Sequence, residues 1–149
     1  IEKNERPARK VMITGKGRCN VTNDTDVNGL IASVTRNAKF LYSSFRNFSA
    51  EDTKTLFTQL GVPLKTERGN RVFPVSDKAV DIVDALTHYG TDDGAEIING
   101  RAKELIIEDG VLKGVRTYEG EEIFADSVIV ATGITSFGRC KVSMISCGL

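Results

Sequence analysis

The chain has 149 residues, 40% of them hydrophobic, and its 20 basic and 20 acidic side chains cancel to a formal net charge of +0. That length and apolar content suffice for one buried core and exclude an intrinsically disordered chain, while the cancelled charge gives no whole-molecule signature of a nucleic-acid binder. No apolar run reaches the roughly 18 residues of a membrane span and no secretory leader opens the sequence, so the chain is read as cytoplasmic with no membrane partner; its three cysteines, without close CxxC spacing, argue against a disulfide framework and a zinc site.

In chain order, residues 1–3 read as the end of a strand and 4–23 as a long loop, and structureless stretches of that length inside compact domains are usually functional. The loop holds Thr14-Gly15-Lys16-Gly17-Arg18-Cys19-Asn20-Val21-Thr22-Asn23. Gly15 and Gly17 admit positive φ and close backbone approach, Lys16 and Arg18 bring charge, and Asn20, Thr22 and Asn23 add neutral hydrogen-bonding groups. This set suits an anion, and a pyrophosphate joined to a carbonyl-bearing ring better than a bare phosphate. An exposed turn carrying solvated cations accounts for the same letters. The order Gly-x-Gly-x-x-Asn lacks the third glycine of a dinucleotide fingerprint, and no Gly-Lys-Ser/Thr makes a P-loop. Cys19 is open to two readings, a redox thiol or, more simply, a small side chain beside a ligand. Arg6, Arg9, Lys10, Lys16 and Arg18 form a basic run that a diphosphate, an RNA backbone or water would satisfy, but no aromatics interleave with it to stack bases.

Residues 26–34 carry Val27, Leu30, Ile31 and Val34 at helical spacing, and 38–48 an aromatic-rich patch of Phe40, Leu41, Phe45 and Phe48 suited to a core. Ser49 with Asp52 makes a capping box, predicting a helix over 50–60 that Gly61 stops and Pro63 prevents from resuming. Residues 64–67 and 71–74 read as strands joined through Gly69-Asn70. Ser76 is a candidate N-cap for a helix whose buried face is Ala79, Val80, Ile82, Val83 and Leu86; His88, the only histidine, falls near its end as a surface or capping residue. Strands are expected at 95–98, 102–108, 111–118 and 122–125, the last three joined by Asp109-Gly110 and Glu119-Gly120 into an antiparallel meander. Ser127-Val128-Ile129-Val130-Ala131 is an apolar run of the kind buried on both faces of a parallel sheet, ended by Thr132-Gly133.

Ile1-Glu2-Lys3-Asn4, Arg9-Lys10, the Thr14 to Asn23 motif and Arg71-Val72-Phe73-Pro74-Val75-Ser76-Asp77-Lys78-Ala79 occur in an order that resembles the BaiN-like (aminoacetone-oxidase-like) flavoproteins, which are FAD-dependent oxidoreductases. The resemblance implies an α/β chain: a partial doubly wound, Rossmann-like FAD-binding domain over 1–133 with a three-stranded antiparallel β-meander. It also implies a glycine-rich turn upstream of Ile1. Residues 134–149 depart from the family, in which a second glycine follows Ala-Thr-Gly, and are expected to be an anomalous tail from a truncated or disrupted reading frame.

Carried over by position, the resemblance places Glu2 on the adenosine ribose, Arg9 and Lys10 along the diphosphate or ribityl, and Gly15, Lys16, Gly17, Arg18, Cys19 and Asn20 by the isoalloxazine, with Lys16 or Arg18 near its N1 and C2 carbonyl. Ala102 would meet the adenine through its backbone, and Ala131, Thr132 and Gly133 would close over the cofactor. Arg71 and Pro74 would shape the flavin pocket or serve only as a kinked strand. The expected activity is hydride transfer through flavin N5 on a small-molecule substrate, with NAD(P)H a candidate electron donor, no nucleic acid, no metal and no identified catalytic residue; the 149-residue piece alone is expected to be inactive. Two other readings stay open: a non-enzymatic nucleotide- or RNA-binding domain, and a non-functional remnant.

Overall fold

The computed structural model describes residues 1–131 and the backbone of 144–146. The chain divides into two compact units, one made of residues 6–96 and the other of 1–5 with 97–149.

The 6–96 unit opens with α1 (Arg9–Ile13), a helical turn over Thr14–Gly17 and a two-residue strand, β1 (Thr22–Asn23). The expected long loop is therefore partly ordered. The reason lies in Val11 and Val21, which pack against the buried cluster of Cys19, Phe57, Val62, Ala79, Ile82 and Ala85 and so draw both flanks of the loop onto the core. Next come α2 (Val27–Ala32), a 3₁₀ turn over Ala38–Leu41 and α3 (Tyr42–Asn47). Asp26 caps α2 by accepting from Gly29 N at 2.8 Å. None of these three segments contains a buried residue, and Phe40 is 83% exposed, so the aromatic patch does not form the core assigned to it.

Helix α4 (Ala50–Gln59) has the capping box foreseen at Ser49 and Asp52, with both reciprocal bonds present. Gly61, at φ 79°, ends the helix. Strands β2 (Leu64–Glu67) and β3 (Arg71–Pro74) pair antiparallel, and β1 adds to the other edge of β3 with Thr22 opposite Val72. Helix α5 (Ala79–Asp92) buries Ala79, Ile82, Val83 and Ala85. Its N-cap is Lys78, not Ser76; the Ser76 hydroxyl accepts from Lys78 N at 3.3 Å, which bends the chain one step before the helix starts.

In the other unit no strand forms at 95–98. Instead Glu2 and Asn99 make an isolated parallel bridge, with Glu2 N donating to Ile98 O at 2.9 Å and Gly100 N to Glu2 O at 3.0 Å. This is the slanted bonding of a parallel ladder. The meander follows as foreseen: β4 (Ala102–Glu108), β5 (Val111–Thr117) and β6 (Glu122–Phe124), in the order β4-β5-β6. Asp109 and Gly110 take φ of 51° and 78°, the left-handed pair that a two-residue hairpin requires. Ile106, Leu112, Gly114 and Thr117 are its buried residues. Strand β7 (Ser127–Ile129) pairs antiparallel with β8 (Met144–Ser146) and leaves Ile129 70% exposed. The expected parallel strand buried on both faces is thus corrected: its ladder partner comes from residues that the sequence pattern did not mark as a strand.

Candidate functional site

Five residues between positions 8 and 19 lie in left-handed backbone: Ala8, Gly15, Lys16, Gly17 and Cys19, with φ from 55° to 82°. For the three that are not glycine this conformation costs about 1–2 kcal/mol each. Such outliers persist only where surrounding structure holds them, and they gather at ligand-binding segments. The turn closes on itself, since Arg18 N donates to Gly15 O and Cys19 N to Thr14 O, both at 3.3 Å. A Cβ added to Gly15 would sit 3.2 Å from Asn20 N and 3.3 Å from Phe73 Cε1, a tight fit that with its φ of 55° favours glycine there. At Gly17 the nearest atom to such a Cβ is Met12 O at 3.9 Å, so its face is open to a ligand. Arg9, Lys10, Lys16 and Asn20 are exposed.

The two cations of the turn differ. Arg18 donates from Nε to Asp77 Oδ1 at 2.8 Å, and its Nη2 reaches the same oxygen at 2.6 Å and also Glu67 Oε1. Its guanidinium lies 4.2 Å from the Phe73 ring centroid, inside cation–π range. Lys65 Nζ holds the other Asp77 oxygen at 2.8 Å. Hydrogen bonds from Arg18 hold Glu67, and hydrogen bonds first from Lys65 and then from Arg18 hold Asp77, below the usual carboxylate range. Lys16 has no ion-pair partner among the described residues.

Cys19 is 6% exposed and belongs to the core cluster. Burial pushes its thiol pKa up, and the weaker opposing hydrogen bond with Thr14 does not reverse this. At neutral pH it is a thiol and not the thiolate that redox chemistry needs. Arg71 Nε donates to its neighbour Arg68 O at 3.1 Å and Pro74 is buried in β3; the residues of that segment that touch Arg18 are Phe73 and Asp77. Sequence reasoning missed Phe73, Glu67 and Asp77 as partners of the loop, because no spacing rule links positions 49 to 59 residues apart.

Within the unit of residues 1–5 and 97–149, half-buried Glu2 stands where the parallel pairing ends, and its Oε1 accepts from Asn4 N at 2.9 Å and from Asn4 Nδ2. Asn99 Nδ2 in turn donates to Asn4 O at 3.0 Å, which ties residues 2–4 to the segment leading into Ala102. Ala102 is the exposed first residue of β4, opposite Thr117, and Ala131 is exposed beyond β7. Thr132, Gly133 and all but the backbone of 144–146 in the tail lie outside the described residues.

Two surface hollows in the 6–96 unit, of about 400 Å³ beside Lys54 and Thr66 and about 300 Å³ beside Val62 and Ser76, are lined by none of the expected site residues. Among the described residues no cluster of three or more His, Cys, Asp and Glu is placed to hold a metal, and no helix is long and apolar enough to cross a membrane.

The described residues form a mixed α/β chain with antiparallel sheets and one isolated parallel bridge at Glu2. The chain belongs to the HI0933-like family, whose Rossmann domain matches residues 1–142. It is also 28% identical to the 3-dehydro-bile acid delta(4,6)-reductase of Clostridium scindens, over 99% of this chain and 34% of that protein's length. The resemblance to BaiN-like flavoproteins and the Rossmann-like fold class are both borne out by these matches.

Proposed function

We propose that this chain is the FAD-holding part of a flavoprotein oxidoreductase. The observation that carries the reading is the left-handed turn at 15–19, which presents exposed Lys16 and an unobstructed Gly17. Membership of a Rossmann-domain family and likeness to a protein named as a reductase support it. The exposed cations, the exposed Asn20 amide and the open glycine face match what a diphosphate and a ring bearing carbonyls require.

When bound, FAD supplies the two-electron chemistry, with hydride entering at its N5. The chain's residues hold and tune. Arg9 and Lys10 neutralise the diphosphate, and the backbone of 15–20 with Lys16 or Arg18 stabilises negative charge on the reduced ring. Glu2 accepts from the ribose hydroxyls, its carboxylate steadied by the bonds that Asn4 donates to Oε1. The backbone of Ala102 meets the adenine, and Ala131 stands at the segment that closes over the cofactor. The substrate is a small molecule and NAD(P)H the candidate donor. Buried, protonated Cys19 takes no part as a nucleophile.

The test is to equilibrate purified protein with FAD, remove free cofactor by gel filtration and record the visible spectrum. Flavin absorbance travelling with the protein is the expected result. A colourless protein, or salt-sensitive RNA binding that survives saturating FAD, overturns the reading.

A further inference from the structure

We infer that Arg18 is a positioning residue: its guanidinium fastens the left-handed 15–19 turn to the β2–β3 hairpin, leaving Lys16 as the cation that meets the ligand's anionic edge. The ligand's identity rests on the FAD reading above; the fastening does not.

Three contacts of two kinds converge on one side chain. Glu67 on β2 and Asp77 after β3 take its N–H donors, and Phe73 on β3 takes its flat face. A planar fork that bonds two carboxylates and stacks at once is what guanidinium offers and ammonium does not. Asp77 itself is in left-handed backbone, at φ 58°, with its second oxygen on Lys65 at 2.8 Å, so the acceptor is held from a second side independently of Arg18. Arg18 and Lys65 together balance Glu67 and Asp77, so the Arg18 charge is engaged within this cluster while Lys16 has no ion pair among the described residues. Its neighbour Cys19 is anchored in the core. Pinned by the side chain of one residue and the burial of the next, the turn has no freedom to relax out of a conformation that Lys16 disfavours.

The experiment compares wild type with Arg18→Ala, Arg18→Lys and Lys16→Ala in two readouts. Amide hydrogen exchange without FAD is expected to show protection at 15–20 falling roughly fivefold to tenfold in Arg18→Ala and by less in Arg18→Lys, with α4 and α5 unchanged, since one partly exposed charged network is removed. Lys16→Ala should leave exchange alone. In the FAD-loaded proteins Lys16→Ala should lower the flavin reduction potential, whereas saturated Arg18→Lys should keep the wild-type potential and need more FAD to saturate. Unchanged exchange in Arg18→Ala, or a potential that follows Arg18 and ignores Lys16, overturns the inference. Should Arg18→Ala fail to fold, Glu67→Gln and Asp77→Asn each remove one arm and must each loosen the 15–20 amides; no loosening in either also overturns it. Wild type that binds no FAD defeats the functional reading but leaves the exchange result to judge the fastening.

Discussion

The 15–19 turn and the β4–β5–β6 meander both reverse the chain through left-handed residues, yet they recruit different amino acids. The meander uses Asp109, Gly110 and Gly120, residue types that enter that region at little cost. The turn uses two glycines together with Lys16 and Cys19, which do not, and it spends an ion network and a buried side chain on holding them there. A reversal alone needs none of that. The turn therefore keeps its shape for something other than connecting α1 to β1.

The largest effect is expected in the meander. A Cβ at Gly114 would lie 2.1 Å from Ile123 O and 2.8 Å from Phe124 Cα, backbone atoms that cannot yield separately from the β5–β6 pairing. Gly114→Ala is expected to destabilise by on the order of 3 kcal/mol, read as a lowered Tm with loss of strand signal in circular dichroism. An unchanged Tm would mean that this pairing does not hold the meander together.

Cys19→Ser comes next. It puts a hydroxyl among Phe57, Val62 and Ile82 and should cost about 1–3 kcal/mol in denaturant unfolding, while wild-type Cys19 reacts with thiol reagents only after unfolding. Rapid labelling of the native protein would show that the turn is not anchored as described.

Ser49→Ala removes one side of the α4 capping box and should cost about 1 kcal/mol, with the 15–20 amides unaffected. Lys16→Gly relieves a left-handed lysine, and stability should rise by up to about 1 kcal/mol while FAD retention falls. A rise in both would remove the reason for tolerating lysine there.

The smallest effect is with pH. Glu67 and Asp77 are held below their ordinary values of 4.5 and 3.8 by Arg18 and Lys65. For carboxylates lowered in the folded state, the contribution is present above those ordinary values and is lost as pH falls through the lowered ones. Protection factors of the 15–20 amides should therefore hold steady from neutral pH down to the carboxylate range and drop below it. Arg18→Ala should flatten that profile.

What could be read in the sequence was chemistry carried by neighbours. Ser49 with Asp52, Asp109 with Gly110, and the alternating strands about them lie within a few residues of one another, so the α4 cap and the meander were legible. The helix at Arg9–Ile13 was not, because five residues with one core-directed valine give no periodicity to find. At 95–98, and in the direction and burial of β7, the sequence pattern misleads for a related reason: pairing is settled by distant partners, Glu2 in one case and 144–146 in the other. In the candidate site, the glycines and cations were visible and the Arg-Val-Phe-Pro segment stood out through resemblance. That one cation is tied to Glu67, Asp77 and Phe73 while the other is left without an ion pair depends on side-chain geometry across the fold.

The most direct measurement of the central claim is the affinity of wild type and Glu2→Ala for FAD and for FMN, which lacks the adenosine ribose. Wild type is expected to prefer FAD, and Glu2→Ala to weaken FAD binding about tenfold, the loss of a charge-assisted hydrogen bond, with FMN affinity and the circular dichroism spectrum unchanged. Equal loss for both flavins, or none for either, would contradict it.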